Sequence, residues 1–420
     1  MTTDDSGLRR RSTAPAPQVF VARQPILDRA RRVFAYELLF RPSVLAEQSG
    51  AADEYASAKV ITDAVLAFGL DTLTHGRPAF INITRRLLLD GLPAALPPKR
   101  VVVELLEDIE ADEEVLAACR KLRAAGYSIA LDDFVLNERT AGLIPLADFI
   151  KVDFLASPTP EARERIAATR ERGSPALLAE KVETAEQFEE AVREGFTYFQ
   201  GFFFGRPVTQ GARDIPGDRI GHFRLLRALN DPDLTVVQLE DLIKHDAALC
   251  YRVLRTVNSA GFAQRGSVDS IRQALVLLGI DTVRHWASLW VLAGLSEGAH
   301  PELVVMCTVR ARCCELLARC SREGDTSTGG FLLGMCSLLD VILDRPMEAV
   351  LEQLPLSGGT ASALRGEDNT SRRILDCAIA YERGQWDRCL YLAGRAGLDP
   401  AGLPVAHQEA LKWVQDFRSV

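Results

Sequence analysis

At 420 residues the chain exceeds what one hydrophobic core usually serves, which makes two domains the expectation. Its composition, 47% hydrophobic and 25% charged, is that of an ordinary globular protein. A net charge of −8 excludes bulk attraction to nucleic-acid polymers or anionic membrane, so an anionic ligand would need a local site of metal ions or arginines.

Taken in chain order, residues 1–17 read as a flexible tail, because Arg9–Arg11 lead into Ser-Thr-Ala-Pro-Ala-Pro rather than an apolar export segment. From residue 18 to residue 207 short apolar runs alternate with amphipathic stretches. The runs are Val33–Ala35, Ala79–Ile81, Val101–Val103, Ser128–Leu131, Phe149–Val152, Ala176–Ala179 and Tyr198–Phe204. Between them, Glu54–Gly69, Asp112–Ala125, Pro160–Arg172 and Ala185–Glu194 carry helical spacing. Strand and helix alternating in units of roughly 30 residues predict an α/β fold, a (β/α) barrel of the TIM type. No glycine-rich dinucleotide loop follows any strand, which disfavours a doubly wound sheet.

The residue that follows each apolar run carries the chemistry. In chain order these are Glu37, Asn82, Glu104, the pair Asp132 and Asp133, Lys151, Glu180 and Gln200. In a parallel barrel they share one rim, where such folds place their active sites. Carboxylates with an amide oxygen suit hard cations, Mg²⁺ or Mn²⁺, better than zinc. Adjacent aspartates allow one carboxylate to bridge two ions on the order of 4 Å apart, the arrangement for in-line attack on phosphorus. A lysine beside them can stabilise charge on the phosphoryl oxygens.

Residues 208–217, rich in glycine and proline, read as a linker. Beyond it, from residue 218 to 420, apolar residues recur at helical spacing and predict an all-α domain. Cys307, Cys313, Cys314 and Cys320 fit small buried hydrophobes, and the nine cysteines lack zinc-like spacing, so a reducing cytoplasm fits best. His245-Asp246 lacks companion metal ligands and reads as helix surface. Asn258 and Ser259 read as a helix terminus, and Trp286, Trp290 and Val291 as core. No run reaches the roughly 18 apolar residues of a membrane-spanning helix, so no membrane insertion is expected.

Gln24-Pro25-Ile26, Tyr36-Glu37-Leu38-Leu39-Phe40-Arg41, Ile81-Asn82-Ile83-Thr84 and Val103-Glu104-Leu105-Leu106-Glu107 stand in the order of the EAL-domain motifs. Leu131-Asp132-Asp133-Phe134, Ile150-Lys151-Val152-Asp153, Ala179-Glu180-Lys181-Val182-Glu183-Thr184 and Phe199-Gln200-Gly201-Phe202 continue them. The stretch therefore resembles the EAL domains, phosphodiesterases of cyclic di-GMP. The resemblance implies Glu37, Asn82, Glu104 and Asp132 on one metal, Asp132 and Asp133 on a second, and Lys151, Glu180 and Gln200 arranging the water. It implies Arg41 on a phosphate, Gln24, Leu39 and Glu183 beside the nucleotide, and Glu37 at the substrate as well as the metal. Glu107 and Asp153 take supporting places, Glu107 as the anchor of the loop after Asp133, and that loop admits a homodimer.

Two departures stand out. The family's Glu-Ala-Leu is Glu37-Leu38-Leu39, and its Asp-Asp-Phe-Gly-Thr-Gly loop is Asp132-Asp133-Phe134-Val135-Leu136-Asn137. Loss of glycine reshapes that loop, with more consequence for turnover than for binding. The helical half resembles the HDOD domains through Asp246–Leu249, Arg255–Ala260 and Ser270–Leu275 with Leu277–Gly279, while Ser337–Asp340 and Tyr381–Gly384 resemble segments of proteins that join an EAL half to an HDOD half. It implies contact with a protein partner rather than hydrolysis. Three functions remain open at this point: hydrolysis of cyclic di-GMP, its reception without turnover, and a scaffold that has lost the ligand.

Overall fold

Period-two alternation decides how the first half folds. In seven barrel strands one inward position is apolar and the next inward position is polar: Ala35 then Glu37, Phe80 then Asn82, Val102 then Glu104, Ala130 then Asp132, Phe149 then Lys151, Leu178 then Glu180, Tyr198 then Gln200. The apolar set forms a plug of Ile26, Ala35, Phe80, Val102, Ala130 and Leu178, packed by Phe34, Phe149 and Tyr198. The polar set lies one layer above it.

The structure, a computed structural model, describes residues 19–42, 69–134, 137–154, 175–201, 233–245, 270–295, 300–321, 327–343, 345–353 and 358–418, with isolated positions between them. Eight strands close a barrel in sequence order: β1 (Val19–Asp28), β2 (Val33–Pro42), β3 (Ala79–Ile83), β4 (Val101–Leu105), β5 (Ser128–Leu131), β6 (Phe149–Asp153), β7 (Ala176–Glu180) and β8 (Tyr198–Gln200). From β2 to β8 the pairing is parallel, but β1 runs antiparallel to both β2 and β8. The wholly parallel barrel expected from the alternation is thus corrected at its first strand. The reversal shows in the side chains too, since in β1 the polar Gln24 precedes the apolar Ile26.

Pro25 sits inside β1 without breaking it. Its partner is Tyr36, whose N–H donates to Pro78 on the other side, so the pair is a non-hydrogen-bonded one and the missing proline donor costs no ladder bond. Around the barrel lie helices α1 (Leu70–Thr74), α2 (Arg85–Leu89), α3 (Glu113–Ala124) and α4 (Ala185–Arg193). Asp112 caps α3 by accepting from Val115 N–H, and Thr184 with Gln187 forms a capping box on α4. The expected helix Pro160–Arg172 and most of Glu54–Gly69 lie outside the described residues, as do the tail and the linker.

The second half is helical throughout its described residues: α5 (Val236–Lys244), α6 (Ile271–Leu278), α7 (Ile280–Leu295), α8 (Pro301–Cys320), α9 (Ser327–Cys336), α10 (Leu339–Leu343), α11 (Met347–Gln353), α12 (Gly358–Arg365), α13 (Thr370–Glu382), α14 (Trp386–Arg395) and α15 (Gly402–Arg418). The long α8 is its axis. Cys307, Cys313 and Cys314 are buried on it as expected, but Cys320, at its final turn, is exposed. Trp286 and Val291 are core, with Trp290 half-buried against them. No described helix is long and apolar enough to cross a membrane.

The halves are joined by buried contacts. Tyr381 at the end of α13 accepts from Val21 N–H of β1 at 3.2 Å, and its ring packs on Phe20. Tyr36 of β2 donates to Glu302 of α8 at 3.1 Å.

Candidate active site

Lys151 is the hub. It is fully buried on β6, and its ammonium reaches Glu37 Oε2 at 3.3 Å, Asp132 Oδ1 at 2.9 Å and Glu180 Oε1 at 2.9 Å, with Glu104 Oε1 in closest contact. Four carboxyl groups from β2, β4, β7 and the end of β5 thus face one ammonium. Neighbouring register brings them together: Asn82 pairs Glu104, and Asp153 pairs Glu180. Gln200 donates through Nε2 to Glu37 Oε2 at 2.7 Å and to Gln24 Oε1 at 2.8 Å, while Asn82 donates to Glu37 Oε1 at 3.1 Å. Glu37 is not at a strand end as expected. It lies in the middle of the ten-residue β2, which continues past the rim to Pro42 and carries Leu39 and Arg41 outward.

The electrostatics follow from this crowding. Burial pushes the Glu104 carboxyl well up from the ordinary carboxylate range, and the adjacent acids add to that shift. Burial likewise raises Glu180, to about 8, with help from Asp132 and Glu37 and against Lys151. For Lys151 burial pulls downward, but the surrounding carboxylates outweigh it and hold the ammonium charged.

The donor set fits a hard cation. Asp132, Asp133 and Glu180 each offer an oxygen within 4.8 Å of the others. Four buried oxygens of the site, Asn82 Oδ1, Glu104 Oε2, Asp133 Oδ1 and Gln200 Oε1, accept no hydrogen bond among the described residues. Oxygens buried without a donor are costly unless a cation or water serves them.

Asp133 adopts φ +38 and Lys181 φ +55, left-handed conformations rare for side-chain-bearing residues. Lys181 contacts Asp153 and lies 3.9 Å from Asp133 Oδ2, so it tethers both acids. Sequence reasoning did not single out Lys181, because nothing in its type or spacing signals a positive φ. Just beyond, a Cβ at Gly201 would lie 2.1 Å from Val182 O, so only glycine lets β8 pass the strand-7 loop.

Among the remaining expected residues, Gln24, Leu39, Arg41 and Glu183 lie half-buried around the opening and Asp153 closes β6. Glu107 is exposed in the turn after β4, and Val135 and Leu136, the loop it was expected to anchor, lie outside the described residues. Asn137 is described: its Oδ1 accepts from Arg139 and Thr140 N–H, a side-chain-closed turn where the EAL motif has glycine. In the helical half, His245 is an exposed helix cap hydrogen-bonded to Asp241 O at 2.7 Å, while Asp246, Asn258 and Ser259 lie outside the described residues.

Comparison with known proteins gives the following. A model of the EAL domain matches residues 10–207, and a model of the HDOD domain matches residues 221–336. The uncharacterized protein YuxH of Bacillus subtilis is 33% identical over 408 residues, 95% of this chain and 99% of that protein. The cyclic di-GMP phosphodiesterase CdgJ of Vibrio cholerae is 34% identical over 408 residues, 95% of this chain and 93% of that protein. Among solved structures, a calcium/cy-diGMP complex of Klebsiella pneumoniae BlrP1 is 26% identical, covering 47% of this chain and 58% of that chain at a TM-score of 0.38. The Bacillus subtilis YkuI protein, with an EAL domain and in complex with c-di-GMP and calcium, is 22% identical, covering 63% of this chain and 72% of that chain at a TM-score of 0.38.

Proposed function

The chain belongs to the family that joins an EAL domain to an HDOD domain, and on that premise we propose that it hydrolyses cyclic di-GMP to the linear dinucleotide pGpG. The observation that carries the reading is Lys151 buried among Glu37, Glu104, Asp132 and Glu180, beside oxygens that lack donors. Glu37, Asn82, Glu104 and Asp132 would hold one Mg²⁺ or Mn²⁺ ion, and Asp132 with Asp133 a second. Bound there, divalent ions supply Lewis-acid charge to the phosphoryl oxygens and acidify the attacking water.

The chain's own groups do the rest. Arg41 takes a non-bridging phosphate oxygen, and Gln24 and Leu39 flank the nucleotide. Glu180, 2.9 Å from Lys151 and ionised once divalent ions occupy the site, accepts the proton of the attacking water. Lys151 donates to the oxygen on which charge develops, in a water-poor setting that strengthens the interaction. Gln200, already bonded to Glu37, fixes that carboxylate's rotamer. Water oxygen bonds to phosphorus, one ester bond breaks, the leaving ribose oxygen takes a proton from solvent, and Glu180 returns its own to solvent. The HDOD half would engage a protein partner.

The turn closed by Asn137 favours a second reading, in which cyclic di-GMP binds and turnover is slow. One experiment separates them. Purified protein is mixed with cyclic di-GMP and Mn²⁺, products are resolved by chromatography, and binding is titrated calorimetrically. Formation of pGpG supports hydrolysis, binding without product supports reception, and neither result would sink both.

A further inference from the structure

The mouth of the barrel is not bare: the helical half lies across it. The turn between α13 and α14, with the first residues of α14, meets three of the residues assigned above to the nucleotide. Arg41 Nη1 pairs with Asp387 Oδ1 at 2.9 Å, and Gln24 donates to Arg383 O at 3.3 Å. Gly384, at φ +66, sits so close to Leu39 that a Cβ there would lie 2.6 Å from Leu39 Cδ1. Contact this close leaves no gap between the turn and Leu39 for a base.

The turn has a firm side and a loose side. Its firm side is buried in the helical half. Glu382 receives both an Nε and an Nη2 bond from Arg310, at 3.1 and 2.6 Å, and Arg310 is itself buried and bonded to Ser337 Oγ at 2.8 Å. Tyr381 and Trp386 pack on Phe20 of β1. Its loose side faces the groove: the Asp387 side chain is 93% exposed and the Gln24 bond is exposed as well. Exposed ion pairs of this kind contribute little. A phosphate offers Arg41 a stronger, charge-assisted and bidentate partner than a solvated carboxylate does. The Tyr381-Glu382-Arg383-Gly384 segment thereby acquires a physical role at each position. Tyr381 and Glu382 fix it, Arg383 offers its carbonyl, and Gly384 alone fits against Leu39.

We propose that residues 383–387 of the helical half form a displaceable cap over the nucleotide groove, with Asp387 holding the place on Arg41 that a ligand phosphate takes. This rests on the reading of Gln24, Leu39 and Arg41 as nucleotide contacts. Ligand and cap compete for Arg41 and Leu39, so binding in the barrel releases the turn. By linkage, anything that pulls the turn away raises affinity for the nucleotide by the same factor. The HDOD half is then a reader of barrel occupancy, reached through the Glu382–Arg310 pair into α8.

The test uses the full chain. Cyclic di-GMP is titrated with Ca²⁺ into the wild type and Asp387→Ala, and amide hydrogen exchange over residues 384–389 is followed in the wild type with and without ligand. The expected results are a roughly two- to fivefold tighter dissociation constant for Asp387→Ala, and faster exchange at Gln385, Trp386 and Cys389 when ligand is bound. Equal or weaker binding by Asp387→Ala, or unchanged or slower exchange in those amides while ligand binds, would overturn the cap. No binding of cyclic di-GMP by either protein would overturn the nucleotide reading itself, and the cap with it.

Discussion

Both halves of this molecule bury charge, but they balance it differently. In the barrel four carboxyl groups crowd one ammonium, Lys151, and nearby oxygens go without donors. In the helical half Arg310 is matched by Glu382 and Ser337, and Glu315 is matched by Arg312 and Arg319. A buried pair that closes on itself is architecture. It holds a turn or a helix crossing in register, and although the pair gains little net stability, removing one partner strands the other. A buried cluster with surplus negative charge is stable only when something else supplies cations, and this is why the barrel rim, not the helical core, is where ligand chemistry is expected.

The largest effect that would break this contrast is at Asp132. Asp132→Asn keeps the volume and removes the charge shared between Lys151 and the proposed metal positions. Hydrolysis of cyclic di-GMP should fall by roughly 10³-fold, about 4 kcal/mol of transition-state stabilisation. Mn²⁺ titration by calorimetry should show weaker binding. Activity retained in this variant would mean that the surplus of acids is not the reacting centre.

The balanced side has its own test. Arg310→Ala strands Glu382 without its guanidinium in a part-buried position, which should cost about 3 kcal/mol of stability. Because Glu382 also carries the turn that meets β1, chemical denaturation should show the loss. Mn²⁺ affinity at the barrel should hold within about twofold. A variant as stable as wild type would show that the pair only decorates the helical core.

How far the sequence disclosed this contrast differs between its two sides. The barrel acids were legible because a strand has a period of two, so one polar residue after each apolar run must face the same layer as the plug below it. Lys151 was legible as a rim residue but not as the hub, since burial among four acids depends on register between strands far apart in the chain. The first strand was missed because Arg23, Gln24 and Pro25 interrupt its pattern, and only the pairing of Pro25 with Tyr36 shows why proline is tolerated. Lys181 was invisible because its role comes from a left-handed backbone that brings its ammonium to Asp153 and Asp133. Cys320 was misjudged for a simpler reason: it shares α8 with the buried cysteines but lies at the end, where the covering layer stops.

The smallest effect sharpens the comparison through pH. In the metal-free protein Glu180 is raised to about 8, chiefly by burial, from an ordinary 4.5. Between those values the folded protein holds a proton there that the unfolded chain releases, so stability must fall as pH rises toward 8. It is fully present below about 4.5 and lost as pH passes the folded value. A divalent ion held by Asp132 and Asp133, with the Glu180 carboxyl within 4.8 Å of theirs, would favour its ionised form and remove this penalty, releasing the proton. The gain in melting temperature from saturating Mg²⁺ should therefore be larger at pH 8 than at pH 6, by several degrees at about 2–4 °C per kcal/mol. Calorimetry in buffers of different ionisation enthalpy should show proton release on binding at pH 7. The helical half supplies the internal control, because Glu315 and Glu382 are already neutralised by arginine and leave the ion nothing to correct. An Mg²⁺ gain that is the same at both pH values would place the ion away from Glu180, and the surplus charge at the rim would then be answered by Lys151 and protons alone.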